Sequence, residues 1–214
     1  LADGGAPYFD IVSYHAYDYY QGGGHYDNYN WHSAWNGSGP NLINKTKYIK
    51  NLLSSKGVSG KGLFCTEIAL LCDSNCGDDF EQTKANYVVQ SYAASAVYGL
   101  QASTYYTLVN AWRNSGLVSS DLTQDYPSFT AASFARQMIS TAHGGNDVSQ
   151  GQVRIYEVFP PAGKLWVLWS LDGLEHTLAL SSTPRAIYSL YGDPLPVSDS
   201  LTVGLAPVYI DWGP

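Results

Sequence analysis

Glu67 lies in the run Gly62-Leu63-Phe64-Cys65-Thr66-Glu67, ahead of Ile68-Ala69-Leu70-Leu71. The chain has four Glu residues (67, 81, 157 and 175), and Glu67 is the one set in apolar sequence. A carboxylate in apolar surroundings costs several kcal/mol unless it is paired, so it needs partners or a task. At the end of a strand, the task open to this residue type is nucleophilic or acid–base chemistry. The competing reading is a closed ion pair with Arg113. His15 and Tyr17 are the groups that could hydrogen-bond the carboxylate and orient it, and Arg113 could hold it ionised. Asp18 and Asp27 are the nearby carboxylates that could supply a second acidic group, although Asp beside Gly and Tyr is usually a solvated turn former.

These residues must be held by an ordered series of elements. Residues 8–14 (YFDIVSY) read as a strand leading to His15 and Tyr17, followed by a long loop over 18–41 rich in Gly, Tyr, Asn, His and Trp. Loops of that length inside a compact domain tend to be functional, and aromatic density argues against disorder. Ile43, Tyr48, Ile49, Leu52 and Leu53 recur at helical spacing, with Gly57 as the stop. A strand over 63–67 ends at Glu67. The apolar positions of 80–100 predict a helix closed by Gly99, favoured at its start by Asp78 and Asp79. A strand over 102–109 and a helix over 126–142, with Pro127 in its first turn, complete this part. The β/α alternation implies a parallel sheet.

After Gly144-Gly145 the pattern changes to period two. Strands are expected over 153–159, 164–171, 176–181, 186–191 and 207–211, separated by Pro-Ala-Gly, Asp-Gly and Gly-Asp-Pro turns. The expected organisation is therefore α/β over 1–146 and a small antiparallel, sandwich-like β domain over 147–214.

The chain has 214 residues, charged side chains are scarce, and 18 Tyr and 6 Trp are present. That composition suits a secreted protein handling neutral polar ligands, sugars among them. A formal net charge of −7 with no basic stripe argues against nucleic acid or an anionic membrane as partner. Cys72 and Cys76 could close a small ring in an oxidising compartment, whereas Cys65 reads as a buried thiol. No His stands at ligand spacing from the Cys pair, so no metal ion is expected, and no cofactor either. Asn36-Gly37-Ser38 and Asn44-Lys45-Thr46 match the glycosylation pattern, which is too common to locate the protein.

The ordered blocks resemble the C-terminal half of clan A glycoside hydrolases, retaining enzymes on (β/α)₈ barrels with an appended β domain. Residues 9–17 (FDIVSYHAY) look like the sixth barrel strand, whose His and Tyr line the sugar site. Residues 64–67 (FCTE) look like the seventh, which carries the nucleophile. Residues 105–108 (YYTL) leading to Trp112 look like the eighth, where an aromatic residue floors the site. Residues 165–173 (LWVLWSLDG) and 206–210 (APVYI) look like the β domain.

The resemblance implies a partial barrel of about three β/α units and a glycosidase acting on β-linked polysaccharides or oligosaccharides. Glu67 would be its nucleophile, with His15, Tyr17, Trp31, Trp35, Tyr106, Trp112 and Arg113 around the substrate. Retention needs two carboxyl groups about 5–5.5 Å apart. In this clan the acid/base is the Glu of an Asn-Glu pair ending the fourth strand, and the chain contains no Asn-Glu dipeptide. The expectation is a fragment whose acid/base comes from the missing half-barrel or another copy, with exposed sheet edges favouring self-association. The alternatives are a non-catalytic carbohydrate-binding or scaffold remnant, and an enzyme working alone with a non-standard second carboxylate.

Overall fold

The computed structural model describes residues 1, 4–31, 39–74, 76–109, 112–142 and 144–214. A short 3-10 turn leads into β1 (Ile11–Gly22), which reverses through Gly23 and Gly24 into β2 (His25–Asp27). There follow α1 (Asn41–Ser55), β3 (Gly62–Leu71), α2 (Phe80–Val97), β4 (Ala102–Tyr105) and α3 (Pro127–Ile139). The remainder is β5 (Gly145–Asp147), β6 (Val153–Val158), β7 (Lys164–Ser170), β8 (His176–Ala179), β9 (Ala186–Tyr188), β10 (Pro194–Leu195), β11 (Ser200–Val203) and β12 (Val208–Gly213). The chain is thus mixed α/β.

The first sheet has the order β2-β1-β3-β4, with β1, β3 and β4 parallel and β2 antiparallel to β1. A six-stranded antiparallel sheet follows, in the order β10-β9-β12-β7-β6-β5, and β11 pairs with β8 in a separate ribbon. The helices form where expected because their apolar faces have somewhere to go. Leu42, Ile43 and Leu53 of α1 and Phe80, Val88 and Val89 of α2 are buried. Gly57 and Gly99 follow the helix ends at φ +66° and +64°, a backbone region that favours glycine.

Three expectations about strand limits are corrected. β1 does not give way to a loop after Tyr17: it runs on to Gly22, so Asp18 is a strand residue. Gly22, Gly23 and Gly24 all have positive φ, which lets the chain fold back as a hairpin. β3 does not stop at Glu67, because Ile68–Leu71 are fully buried and stay in register with β1 as far as Tyr19↔Leu71. β4 ends at Tyr105, short of the expected 109.

One continuous core joins the parallel sheet and its helices to the face of the large sheet carrying Tyr156, Val167, Trp169 and Tyr209. Phe134 of α3 meets Tyr188 and Tyr209 edge-on, with ring centroids 5.6 and 5.1 Å apart. On the opposite face, Ile155, Leu168 and Ile210 pack beneath Leu178 and Val203 of the β8–β11 ribbon. Burying each such side chain contributes roughly 1.5–3 kcal/mol.

Candidate active site

Register decides which side chains meet. A bulge between Tyr14 and His15 resets the β1–β3 pairing, giving His15↔Glu67, Tyr17↔Ala69 and Tyr19↔Leu71. Side chains alternate along a strand, so His15, Tyr17 and Tyr19 share a face with Glu67. The Tyr17 hydroxyl donates to Glu67 Oε2, and His15 Nδ1 lies 3.3 Å from the same oxygen. Oε1 takes part in neither contact. The Glu67 side chain is 30% exposed, so it is reachable as well as held. Trp112 packs edge-on to Tyr17 at 5.3 Å and to Tyr106 at 5.9 Å. Glu67, His15, Tyr17, Tyr106 and Trp112 therefore form one cluster.

Arg113 does not pair with Glu67. Its Nε lies 2.9 Å from Asp73 Oδ1, and a terminal nitrogen donates to the Tyr19 hydroxyl at 3.1 Å. The guanidinium also covers the rings of Trp112 and Tyr19 at 5.1 and 5.7 Å. The partner prevails because Asp73 sits in the Cys72–Cys76 ring, a closed disulfide. That ring is fastened to the Trp112 loop, with Cys72 N–H donating to Arg113 O at 2.9 Å and Asn114 Nδ2 to Cys72 O at 3.0 Å.

The loop is also gripped from below by a residue the sequence reading passed over. Lys84 of α2 has a side chain with no exposed surface. Its Nζ donates to Asn114 O (3.0 Å), Gly116 O (2.6 Å) and Glu81 Oε1 (2.8 Å). Burial lowers its pKa and raises that of Glu81, each offset by the other's charge. The available signal was a lysine one turn after Phe80 and one turn before Val88, on the face α2 buries.

The other candidates separate. Asp18 is fully buried on the face of β1 away from Glu67. Its Oδ2 accepts from Asn41 N–H (2.9 Å), at the start of α1, and from the Tyr87 hydroxyl (2.8 Å). It is a carboxylate at a helix N-terminus, not a solvated turn residue and not an acid/base group for Glu67. Asp27 belongs to β2 and lines a cavity of about 810 Å³ at the Arg113 side of the cluster, together with Tyr19, Tyr29, Asp73 and Asp79. Trp31 packs on α1, with its ring 5.4 Å from Tyr48 and under Lys45 Nζ, and is not brought to Glu67. Trp35 and the Asn36-Gly37-Ser38 sequon lie outside the described residues. Cys65 is the free cysteine, buried, and desolvation pushes its thiol up to about 12.

No protein-family profile matches the sequence, and no curated protein does. Solved structures do match. A family 39 glycoside hydrolase from Bacteroides cellulosilyticus WH2 superposes with a TM-score of 0.75 at 16% identity, over 99% of this chain and 46% of that one. A conserved exported protein from Bacteroides fragilis gives 0.63 at 10% identity, over 94% and 46%. A family 51 arabinofuranosidase from Xanthomonas axonopodis pv. citri gives 0.57 at 11% identity, over 96% and 53%. The chain thus spans about half the length of these structures, and what it shares with the glycoside hydrolases among them is the fold.

Proposed function

We propose that this chain is the nucleophile-bearing part of a retaining glycosidase acting on β-linked polysaccharides or oligosaccharides. The observation that carries the reading is the Glu67 carboxylate, held at one oxygen by Tyr17 and His15, with Trp112 packed edge-on against Tyr17. A phenol and an imidazole on Oε2 fix the carboxylate's orientation, leaving Oε1 as the attacking atom. The indole and Tyr106 supply apolar faces for a sugar ring. The glycoside hydrolase fold of the neighbouring structures supports the same reading.

In this reading residues 1–146 are part of a (β/α)₈ barrel and 147–214 its β domain. The acid/base is supplied by polypeptide outside this sequence or by a second copy meeting the β4 edge, and light scattering would distinguish the two. The Cys72–Cys76 disulfide fits secretion into an oxidising compartment. A second reading, a carbohydrate-binding remnant without catalysis, is favoured by one observation. Asp18, one of the two carboxylates offered as acid/base, is consumed as an internal helix partner.

Aryl glycosides of graded leaving group test the proposal. A nucleophile without its acid can expel only a group that needs no proton, since general acid catalysis is worth about 10²–10⁴-fold. Turnover of 2,4-dinitrophenyl β-glycosides, far slower 4-nitrophenyl hydrolysis, and loss of both in Glu67→Gln are expected. Equal rates in wild type and Glu67→Gln would overturn the catalytic reading. Saccharide binding with no turnover in either would leave the binding remnant.

A further inference from the structure

The 810 Å³ cavity beside the Glu67 cluster is lined by Tyr19, Tyr29, Asp27, Asp73, Asp79 and Arg113, among others. It continues the cluster rather than standing apart. Tyr19 is two residues beyond Tyr17 on the same face of β1, and Leu71, which also lines the cavity, is four residues beyond Glu67 on β3. Tyr19 pairs with Leu71 and His15 with Glu67, so at about 3.3 Å per residue the cavity's inner wall starts roughly 13 Å from Glu67 along the strands, two or three sugar rings along a chain.

The charge in the cavity is one-sided. The residues named include three carboxylates against one guanidinium, and that guanidinium is already committed to Asp73 and to the Tyr19 hydroxyl. Asp79 accepts from the Tyr20 hydroxyl and from Gly24 N–H (2.9 Å), and the Tyr20 hydrogen bond lowers its pKa, so it stays anionic. Asp27 Oδ1 is a buried oxygen with no hydrogen-bond partner among the described residues. That oxygen is sealed from the cavity, so it offers a ligand no direct contact and acts by adding negative charge to the cavity wall.

We infer that this cavity is a saccharide subsite that admits neutral or amino sugars and rejects uronate- and sulfate-bearing ones, with Asp27, Asp73 and Asp79 as the discriminating residues. The inference rests on the glycosidase reading and names its substrate class. Asp73 is the pivotal member, because by holding Arg113 it denies an anionic sugar the one cation among the described residues that line the cavity.

Three β-1,4-linked tetramers with the same pyranose backbone and different charge test this by isothermal titration calorimetry: cellotetraose, the tetramer of glucuronate, and the tetramer of glucosamine. Cellotetraose and the glucosamine tetramer should bind. The glucuronate tetramer should bind at least about tenfold more weakly, with the gap narrowing as salt screens the repulsion. Asp27→Asn should narrow the gap by easing repulsion. Asp73→Asn should narrow it further by releasing Arg113, and retained cellotetraose binding shows each variant to be folded. Equal or tighter binding of the glucuronate tetramer to wild type, or a gap unchanged in both variants, would overturn the inference and leave the glycosidase reading standing. Failure of all three tetramers to bind wild type would overturn the saccharide reading itself, and this inference with it.

Discussion

Lys84→Met should destabilise the chain by about 3–4 kcal/mol although it removes no apolar contact. The side chain is wholly buried, and its ammonium is the shared donor for two backbone carbonyls and one carboxylate. Removing one partner of a buried pair costs about 3–5 kcal/mol, because the other charge stays behind. Burial already raises the Glu81 carboxyl, so once the lysine is gone it can take up a proton and shed its charge, which lowers its share to about 1–2 kcal/mol. The carbonyls of Asn114 and Gly116 add about 1 kcal/mol each. At this chain length each kcal/mol moves the melting temperature by about 2–4 °C, so a fall of about 6–16 °C is expected by circular dichroism. Lys84→Met/Glu81→Gln should recover the carboxylate's share and keep the carbonyls' share. A Lys84→Met protein melting within about 2 °C of wild type would refute the argument. It would mean that the Trp112 loop holds its shape without the lysine. If the single variant falls as predicted but the double recovers nothing, the cost lies in the loop carbonyls alone.

Cys72→Ser/Cys76→Ser should cost about 2 kcal/mol, since a ring of this size restrains little unfolded chain. Reductant should lower the wild-type melting temperature by the same amount and leave the variant unmoved. Gly163→Ala should cost about 2–4 kcal/mol, because φ is +131° and a Cβ would fall 1.9 Å from Gly213 O. Gly57→Ala, at φ +66° with open space around it, should cost only about 1–2 kcal/mol. Asp172 is held down to about 2, chiefly by its hydrogen bond to His176. Its contribution to stability should be complete above the ordinary carboxylate range and lost as pH falls from about 4 towards 2. Acid titrations of wild type and Asp172→Asn should therefore differ at pH 5 and converge below about 2.

The helices and the β/α alternation were legible because a single property, apolar periodicity ended by glycine, specifies them. What escaped was specified by pairing. The hairpin of β1 and β2 is built from Tyr, Asp, Gln and Gly, without the apolar alternation that marks a strand. Its one local sign was Gly22-Gly23-Gly24. β5, β10 and β11 are two to four residues long and exist as partners of β6, β9 and β8. No local pattern announces a partner. Asp73 and Lys84 were missed for a related reason, since each acts on a loop about 30 to 40 residues further along the chain.

The two acidic residues of the first sheet show how far parity alone would have gone. Once Tyr17 is assigned to the face of Glu67, Asp18, its neighbour on an unbroken strand, must point the other way. That face is covered by α1 and α2, so a charge there has to be an internal partner. Asp18 is one, held by Asn41 and Tyr87. The error lay in ending the strand at residue 14 and starting the loop at residue 18, which turned a residue with a determined direction into a loop residue free to face the site. Glu67 and Asp18 are the same chemistry one strand apart. What makes one accessible and the other a structural pin is the side of the sheet on which each falls.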